Sequence, residues 1–427
     1  MRAIRARLLH VESTGTLRWK YLEDGVIIVE SGLIKEIVDA GQGQRDGLDL
    51  SQCEDRRDTL LIPGLIDTHV HSPQIDVIAS YSGQLLDWLD KYTFPAESRY
   101  SDPFYAEQSA HDFLDGLIAA GTTTAMVYVT SHEAATDRFF AAAYQRQMRM
   151  IGGKVLMDRL APANLCDDAK GGEEASARLI KDWHGKGRLG YAITPRFAVT
   201  SSPEQLASAG RLHKAYPDTW IQTHLSENHE EIRKVSELYP DSTDYLSVYY
   251  RFGLLTERSV FGHCLHLSEA EISLLATKGG RVAFCPSSNL FLGSGLIDLK
   301  VLREAGAMVG IASDVGGGTS LSMFRTLGDA FKVCQLRGYS LSAMEAFAMA
   351  TLGNAELLGL DSLIGNLAKG KEADLVLLKP KPESIMARRV GLARSIEEEL
   401  FVYMTMADET LVAETIVNGV TVGRRND

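Results

Sequence analysis

Eight short apolar runs, at 65–71, 122–128, 154–158, 190–195, 220–226, 260–264, 281–284 and 308–312, recur through the middle of the chain with helix-like stretches between them. A strand that returns parallel to its predecessor needs a crossover connection, usually a helix, so the alternation predicts consecutive βα units. Eight such units are the number that closes a (β/α)₈ barrel of the TIM type. An open doubly wound sheet would instead call for a phosphate-type glycine loop after the first strand, and none follows residues 65–71. Helix starts are legible in the gaps. Ser202-Pro203-Glu204-Gln205 combines an N-cap with a proline at the first helical position, and Ser268 with Glu271 forms a capping box ahead of a Gly279-Gly280 stop.

Both chain ends read differently. Residues 3–38 carry β-branched runs such as Val26-Ile27-Ile28-Val29, and 373–378 and 413–422 have the same character, with Asn418-Gly419 as a hairpin signal. Two β-rich ends around an α/β middle predict a small β-sandwich assembled from both termini. The expected division is 1–64 and 369–427 for the sandwich and 65–368 for the barrel. Residues 72–101 break the βα rhythm. This connection is too long for an ordinary βα loop and holds a short amphipathic helix at 84–92, with Trp88 and Tyr92 as packing residues, suited to covering a site at the barrel mouth.

Composition narrows the partners. Forty-four Lys and Arg against fifty-six Asp and Glu give a net charge of −12, which repels polyanions and argues against nucleic acid or an anionic membrane surface. The five cysteines are widely spaced and form no Cys-x-x-Cys, so a reducing, cytoplasmic setting is expected. No secretory signal or membrane-length apolar stretch is visible. Three apparent motifs fail. Gly365 to Lys371 has Walker spacing, but Glu372 stands where a hydroxyl must meet magnesium. His10-Val11-Glu12 lacks the Pro-Cys-x-x-Cys partner of a zinc deaminase of the cytidine type. Gly316-Gly317-Gly318 has the wrong spacing for dinucleotides and marks a backbone placed close to something.

The strongest motif is Pro63-Gly64-Leu65-Ile66-Asp67-Thr68-His69-Val70-His71. On a strand, residues two apart share a face, so His69 and His71 point together. Alone, the pair is as easily a hydrogen-bonded couple in the core. Three other strand ends add to it: His224 closes the fifth run with Glu227 three residues on, His263 closes the sixth, and Asp314 follows the eighth. In a barrel such ends converge over the mouth. Imidazoles with one carboxylate suit Zn²⁺ and leave a position for water, whose pKa falls toward ~7 on the metal; Fe²⁺ would accept the same donors. Glu227 is placed to carry protons. His263 could bind metal, or hold the hydroxide and polarise the electrophile.

With these residues the chain resembles the amidohydrolase superfamily and, within it, the guanine deaminase branch. The resemblance is carried by Pro63–Gln74 and by Leu86–Glu97 with its Tyr92-Thr93-Phe94-Pro95-Ala96-Glu97 run. Thr194-Pro195-Arg196-Phe197, Thr223–Asn228, Cys285–Gly295 and Ser313–Gly318 complete it. It implies one zinc ion per chain on His69, His71, His224 and Asp314, with Glu227, His263 and Asp314 catalytic. It also implies a purine held by Gln74, Arg196, Phe197, His224 and Glu227, with Arg196 donating to a ring carbonyl and Gln74 both donating and accepting. The implied reaction is hydrolysis of guanine to xanthine and ammonia by a homodimeric enzyme.

Overall fold

In a computed structural model, residues 1–13, 16–81 and 84–425 are described, so positions 82 and 83 of the long connection at 72–101 lie outside the described residues. The N-terminal part supplies β1 (Arg2–Ser13), β2 (Leu17–Glu30), β3 (Leu33–Asp39) and β4 (Glu54–Pro63). The barrel strands follow: β5 (Leu65–His71), β6 (Thr122–Tyr128), β7 (Arg149–Gly153), β8 (Val155–Leu156) and β9 (Gly190–Pro195). They continue with β10 (Trp220–Leu225), β11 (Ser259–His263), β12 (Arg281–Phe284) and β13 (Met308–Ile311). The C-terminal part adds β14 (Leu375–Leu378), β15 (Val412–Val417) and β16 (Val420–Arg424).

The two ends of the chain meet in a seven-stranded sheet of order β16-β15-β14-β4-β1-β2-β3. Its join is the antiparallel ladder between β4 and β14, which pairs Pro63 with Leu375 and Leu60 with Leu378. Ile4, Ala6, Leu61, Leu375, Leu377 and Ile416 form a core of its own within this sheet. The Asn418-Gly419 hairpin forms as the sequence predicts, with both residues at positive φ between the paired Val417 and Val420.

The middle of the chain forms eight parallel strands in alternation with helices, β7 and β8 being two parts of one interrupted strand. Every residue of β5 and β6 is buried, as expected where helices cover the outside of a barrel and side chains fill its inside. The capping signals hold: the Ser202 side chain accepts from the Gln205 amide ahead of the helix Pro203–Ala215, and Ser268 and Glu271 form a reciprocal box.

One strand lies elsewhere than the sequence pattern suggests. The third barrel strand runs over Arg149–Gly153, and only Val155–Leu156 of the expected 154–158 is extended. The strand ends on Gly152 and Gly153, and a Cβ on Gly153 would lie 1.7 Å from the carbonyl oxygen of Ala192 on β9. Glycine is required there because the neighbouring backbone comes too close for any side chain.

Buried side chains, Asn354, Thr68 and Asp67 among them, help to close the barrel. At the seam between β13 and β5 the path of ladders ends, and the strands meet through Asp314 N–H to His69 O at 2.9 Å and His71 N–H to Val315 O at 2.9 Å. Below these bonds, buried Asn354 donates to Ile66 O (2.7 Å) and Ile311 O (2.8 Å) and accepts from Ile311 N–H (2.9 Å). It replaces the missing rungs with an amide of matching donors and acceptors. Asn354→Leu would strand buried backbone groups and should lower stability by roughly 3 kcal/mol, read as a shifted urea midpoint at unchanged slope. A loss below about 1 kcal/mol would mean that the seam holds without the latch.

Candidate active site

Strands β5, β10, β11 and β13 deliver their last side chains to one point at the barrel mouth. His69 and His71 leave the same face of β5, with Nε2 atoms 3.3 Å apart, and His224 Nε2 lies 3.2 Å from His71 Nε2. Asp314 Oδ1 lies 3.2 Å from His69 Nε2 and 3.3 Å from His71 Nε2. Separations of that length suit donor atoms that share one ion at ~2.0 Å, the zinc–imidazole distance. All four donors are mutually within 4.8 Å. The positions expected from sequence are thus brought together.

The tautomers and charges suit a cation. His224 Nδ1 is 2.7 Å from Arg196 O; as the carbonyl can only accept, the proton sits on Nδ1 and Nε2 keeps its lone pair. Burial holds the His71 imidazolium pKa down to about 4, and burial together with the neighbouring imidazoles keeps His224 well below its ordinary value. Burial alone would raise the Asp314 carboxyl, but His69, His71 and His263 outweigh it and hold it well below the usual range. Neutral imidazoles and an ionised carboxylate are the donor set that zinc takes. Cys285 stands within reach of His69, His263 and Asp314 as well. Its burial raises the thiol pKa well above the ordinary value, and its Sγ points to Ala283 O at 3.3 Å.

Several backbone features serve this point. Asp67, buried beneath the histidines, accepts from the amides of His69 (3.2 Å) and Ser313 (3.1 Å) and pairs with the Ser313 hydroxyl. It ties the strand that carries two histidines to the turn that carries Asp314. His263 and Asp314 have φ of 70° and 51°, left-handed conformations that non-glycine residues adopt mostly where function holds them. The residue before His263 is Gly262, where a Cβ would come 2.7 Å from the His69 ring.

Beside the four donors lies a pair of groups suited to proton transfer. His263 Nε2 is 3.3 Å from Glu227 Oε2 and 3.7 Å from Asp314 Oδ2, and its Nδ1 meets Asn289 Oδ1 at 2.8 Å. The Ser294 hydroxyl donates to Glu227 Oε1 at 2.9 Å. Burial, with the Asp314 charge adding to it, pushes the Glu227 carboxyl up to about 8. Glu231 clamps the turn by accepting from the amides of Glu227 (2.9 Å) and Asn228 (3.2 Å), while the Tyr245 hydroxyl holds its other oxygen at 2.7 Å.

A cavity opens over these groups, lined by Gln74, Arg196, Phe197, Leu85, Trp88 and Leu89 among others. Gln74 and Arg196 are each 2% exposed, so both are held inside the cavity wall rather than at the surface. Phe197 meets the His224 ring edge-on at 6.3 Å between centroids. Leu85, Trp88 and Leu89 come from the long 72–101 connection, and the Trp88 N–H is satisfied by Ser80 O at 3.1 Å, so the indole packs as expected. Four further residues shape the site without having drawn a role from sequence: Glu97, Glu231, Asn289 and Ser294. The Asn228-x-x-Glu231 capping box was readable; the others sit inside noted segments but act across the fold.

Comparison with known proteins agrees with this geometry. The Amidohydrolase family model matches residues 60–422. Guanine deaminase of Escherichia coli is 47% identical over 407 residues, covering 95% of this chain and 93% of the relative. The solved structure of E. coli guanine deaminase covers all of both chains with a TM-score of 0.96 at 44% identity. That of a guanine deaminase from C. acetobutylicum, with guanine bound in its active site, covers 99% of this chain and 100% of its own, with a TM-score of 0.88 at 26% identity. The chain belongs to the amidohydrolase family and, within it, to the guanine deaminases.

Proposed function

We propose that this site hydrolyses guanine to xanthine and ammonia with one zinc ion held by His69, His71, His224 and Asp314. The observation that carries the reading is the convergence of those donors, beside Glu227 and His263, on a cavity walled by Gln74 and Arg196. Zinc, when bound, supplies an activated water near neutral pH. Every other function falls to the chain's own residues.

Arg196 offers N–H donors to the ring carbonyl oxygen, and Gln74 offers a donor and an acceptor to the amide edge. Phe197 packs against the flat ring, while Leu85, Trp88 and Leu89 keep bulk water out. Burial raises the Glu227 carboxyl in the metal-free site, so Glu227 can hold a proton and give it to the ring nitrogen beside the amine-bearing carbon. The carboxylate so formed takes the proton of the adding water and passes it to the departing amine. Water's oxygen joins the ring carbon, the carbon–nitrogen bond breaks with its electron pair going to nitrogen, ammonia leaves, and the hydroxyl left on the carbon returns its proton to the Glu227 carboxylate as the new ring carbonyl forms. His263, its Nδ1 proton held by Asn289, turns Nε2 toward this exchange. The five cysteines stand unpaired, which suits a reducing cytoplasm. No helix among the described residues is long and apolar enough to cross a membrane.

Purified protein should release ammonia from guanine, lose that activity on chelation and regain it with one zinc per chain; turnover of adenine but not guanine would refute the substrate. Glu227→Gln should keep zinc and bind purine while kcat falls at least ~10³-fold, within the range of general acid–base catalysis. Near-normal turnover would remove Glu227 from the proton path.

A stability experiment reads the same carboxyl. In metal-free protein its folded pKa lies near 8, against an ordinary value of 4.5. The folded state therefore keeps a proton that the unfolded chain releases between those values, and stability falls as pH rises through the window. Glu227→Gln abolishes that loss. Metal-free variant should exceed metal-free wild type by about 4 kcal/mol at pH above ~8 and converge with it below ~4.5; parallel pH profiles in chemical denaturation would contradict the raised carboxyl.

A further inference from the structure

The long connection that covers the cavity also reaches behind its recognition residues. Its helix Phe94–Ser98 places Glu97 under both of them. Arg196 Nη1 donates to Glu97 Oε1 (2.9 Å) and Oε2 (2.8 Å), and Gln74 Nε2 donates to Oε1 at 3.0 Å. The Arg196 and Glu97 side chains are 3% and 1% exposed. One turn before Glu97, Phe94 lies beneath the guanidinium, 5.5 Å from ring centroid to Cζ. Glu97 itself is absent from the cavity wall.

We propose that Glu97 is a positioning residue that sets the donor and acceptor pattern of the ring-binding edge. This rests on the reading of Gln74 and Arg196 as the residues that hold the purine. An ionised carboxylate can only accept, so the Gln74 amide must turn its nitrogen toward Glu97. Its oxygen then accepts the Gly316 N–H at 3.1 Å. Both ends of the amide are fixed, and one N–H and one oxygen lone pair remain for a ligand. Arg196 spends only Nη1 on Glu97. Its Nε and Nη2 make no hydrogen bond among the described residues, and the side chain faces the cavity. The carboxylate thereby aims three donor atoms, Gln74 Nε2 and Arg196 Nε and Nη2, and one acceptor, Gln74 Oε1, at the ring without touching it.

Neutralising Glu97 would blur that pattern. An amide at position 97 could donate or accept, so Gln74 would be free to flip and exchange its donor for its acceptor. Arg196 would lose the charge that anchors its plane. A site built to pair a ring carbonyl would then discriminate poorly against a ring that lacks it.

The test compares guanine with 2-aminopurine, which keeps the reacting amine but lacks the carbonyl oxygen. In Glu97→Gln, KM for guanine should rise at least ten-fold with a smaller change in kcat. The guanine to 2-aminopurine ratio of kcat/KM should fall at least ten-fold, with zinc content unchanged. Glu97→Asp keeps the charge but is one methylene too short to reach both partners; it covers the case in which the glutamine variant does not fold and should show the same narrowing. A ratio unchanged from wild type in whichever variant folds, or a loss confined to kcat, overturns the role of Glu97. Wild-type protein that releases no ammonia from guanine overturns the reading of the site itself, and this inference with it.

Discussion

Three imidazoles and a carboxylate converge at the barrel mouth, with four of the separations between their donor atoms at 3.2–3.3 Å. Without a cation these lone pairs repel, and protonating the histidines to relieve the repulsion would place positive charge where burial opposes it. The remaining solution is a small divalent ion, and much of the surrounding architecture serves to hold that arrangement. Asp67 braces the amides beneath two of the donors, Arg196 O fixes the tautomer of His224, and Gly262 makes room for the His69 ring. The barrel contributes rigidity: each donor ends a strand or immediately follows one, and the strands are locked to their neighbours by backbone ladders.

The same burial that makes the metal position electrostatically demanding raises the Glu227 carboxyl beside it. One environment therefore yields opposite protonation states in two acids. Asp314, surrounded by imidazoles, stays ionised, whereas Glu227, near the charge of Asp314, holds its proton. Acid–base sites commonly divide their labour in this way, through environments that push like groups apart. Beside this chemistry, Gln74, Arg196 and Glu97 form a polar edge tied to the 72–101 connection that helps to wall the cavity.

Much of this was legible before any coordinates. Period-two placement put His69 and His71 on one face, and the strand-terminal positions of His224, His263 and Asp314 foretold their meeting once a barrel was inferred. What escaped were features defined by approach across the fold. The third barrel strand was expected at 154–158 rather than Arg149–Gly153, because the need for Gly153 lies in the β9 backbone and not in its own neighbours. Asn354 closes the seam with residues 43 and 288 positions away, and no local pattern marks such a latch. Glu97 and Ser294 stood inside recognised segments, but their partners Arg196 and Glu227 lie 99 and 67 residues off. Periodicity reports which way a side chain faces; it does not report what waits there.

Zinc K-edge X-ray absorption on the reconstituted protein tests the central claim most directly. The account predicts a four- or five-coordinate shell of nitrogen and oxygen at roughly 2.0–2.2 Å, with the multiple-scattering signature of three imidazoles. A sulfur scatterer near ~2.3 Å, which would assign Cys285 to the ion, or a six-coordinate oxygen shell without imidazole, would contradict it.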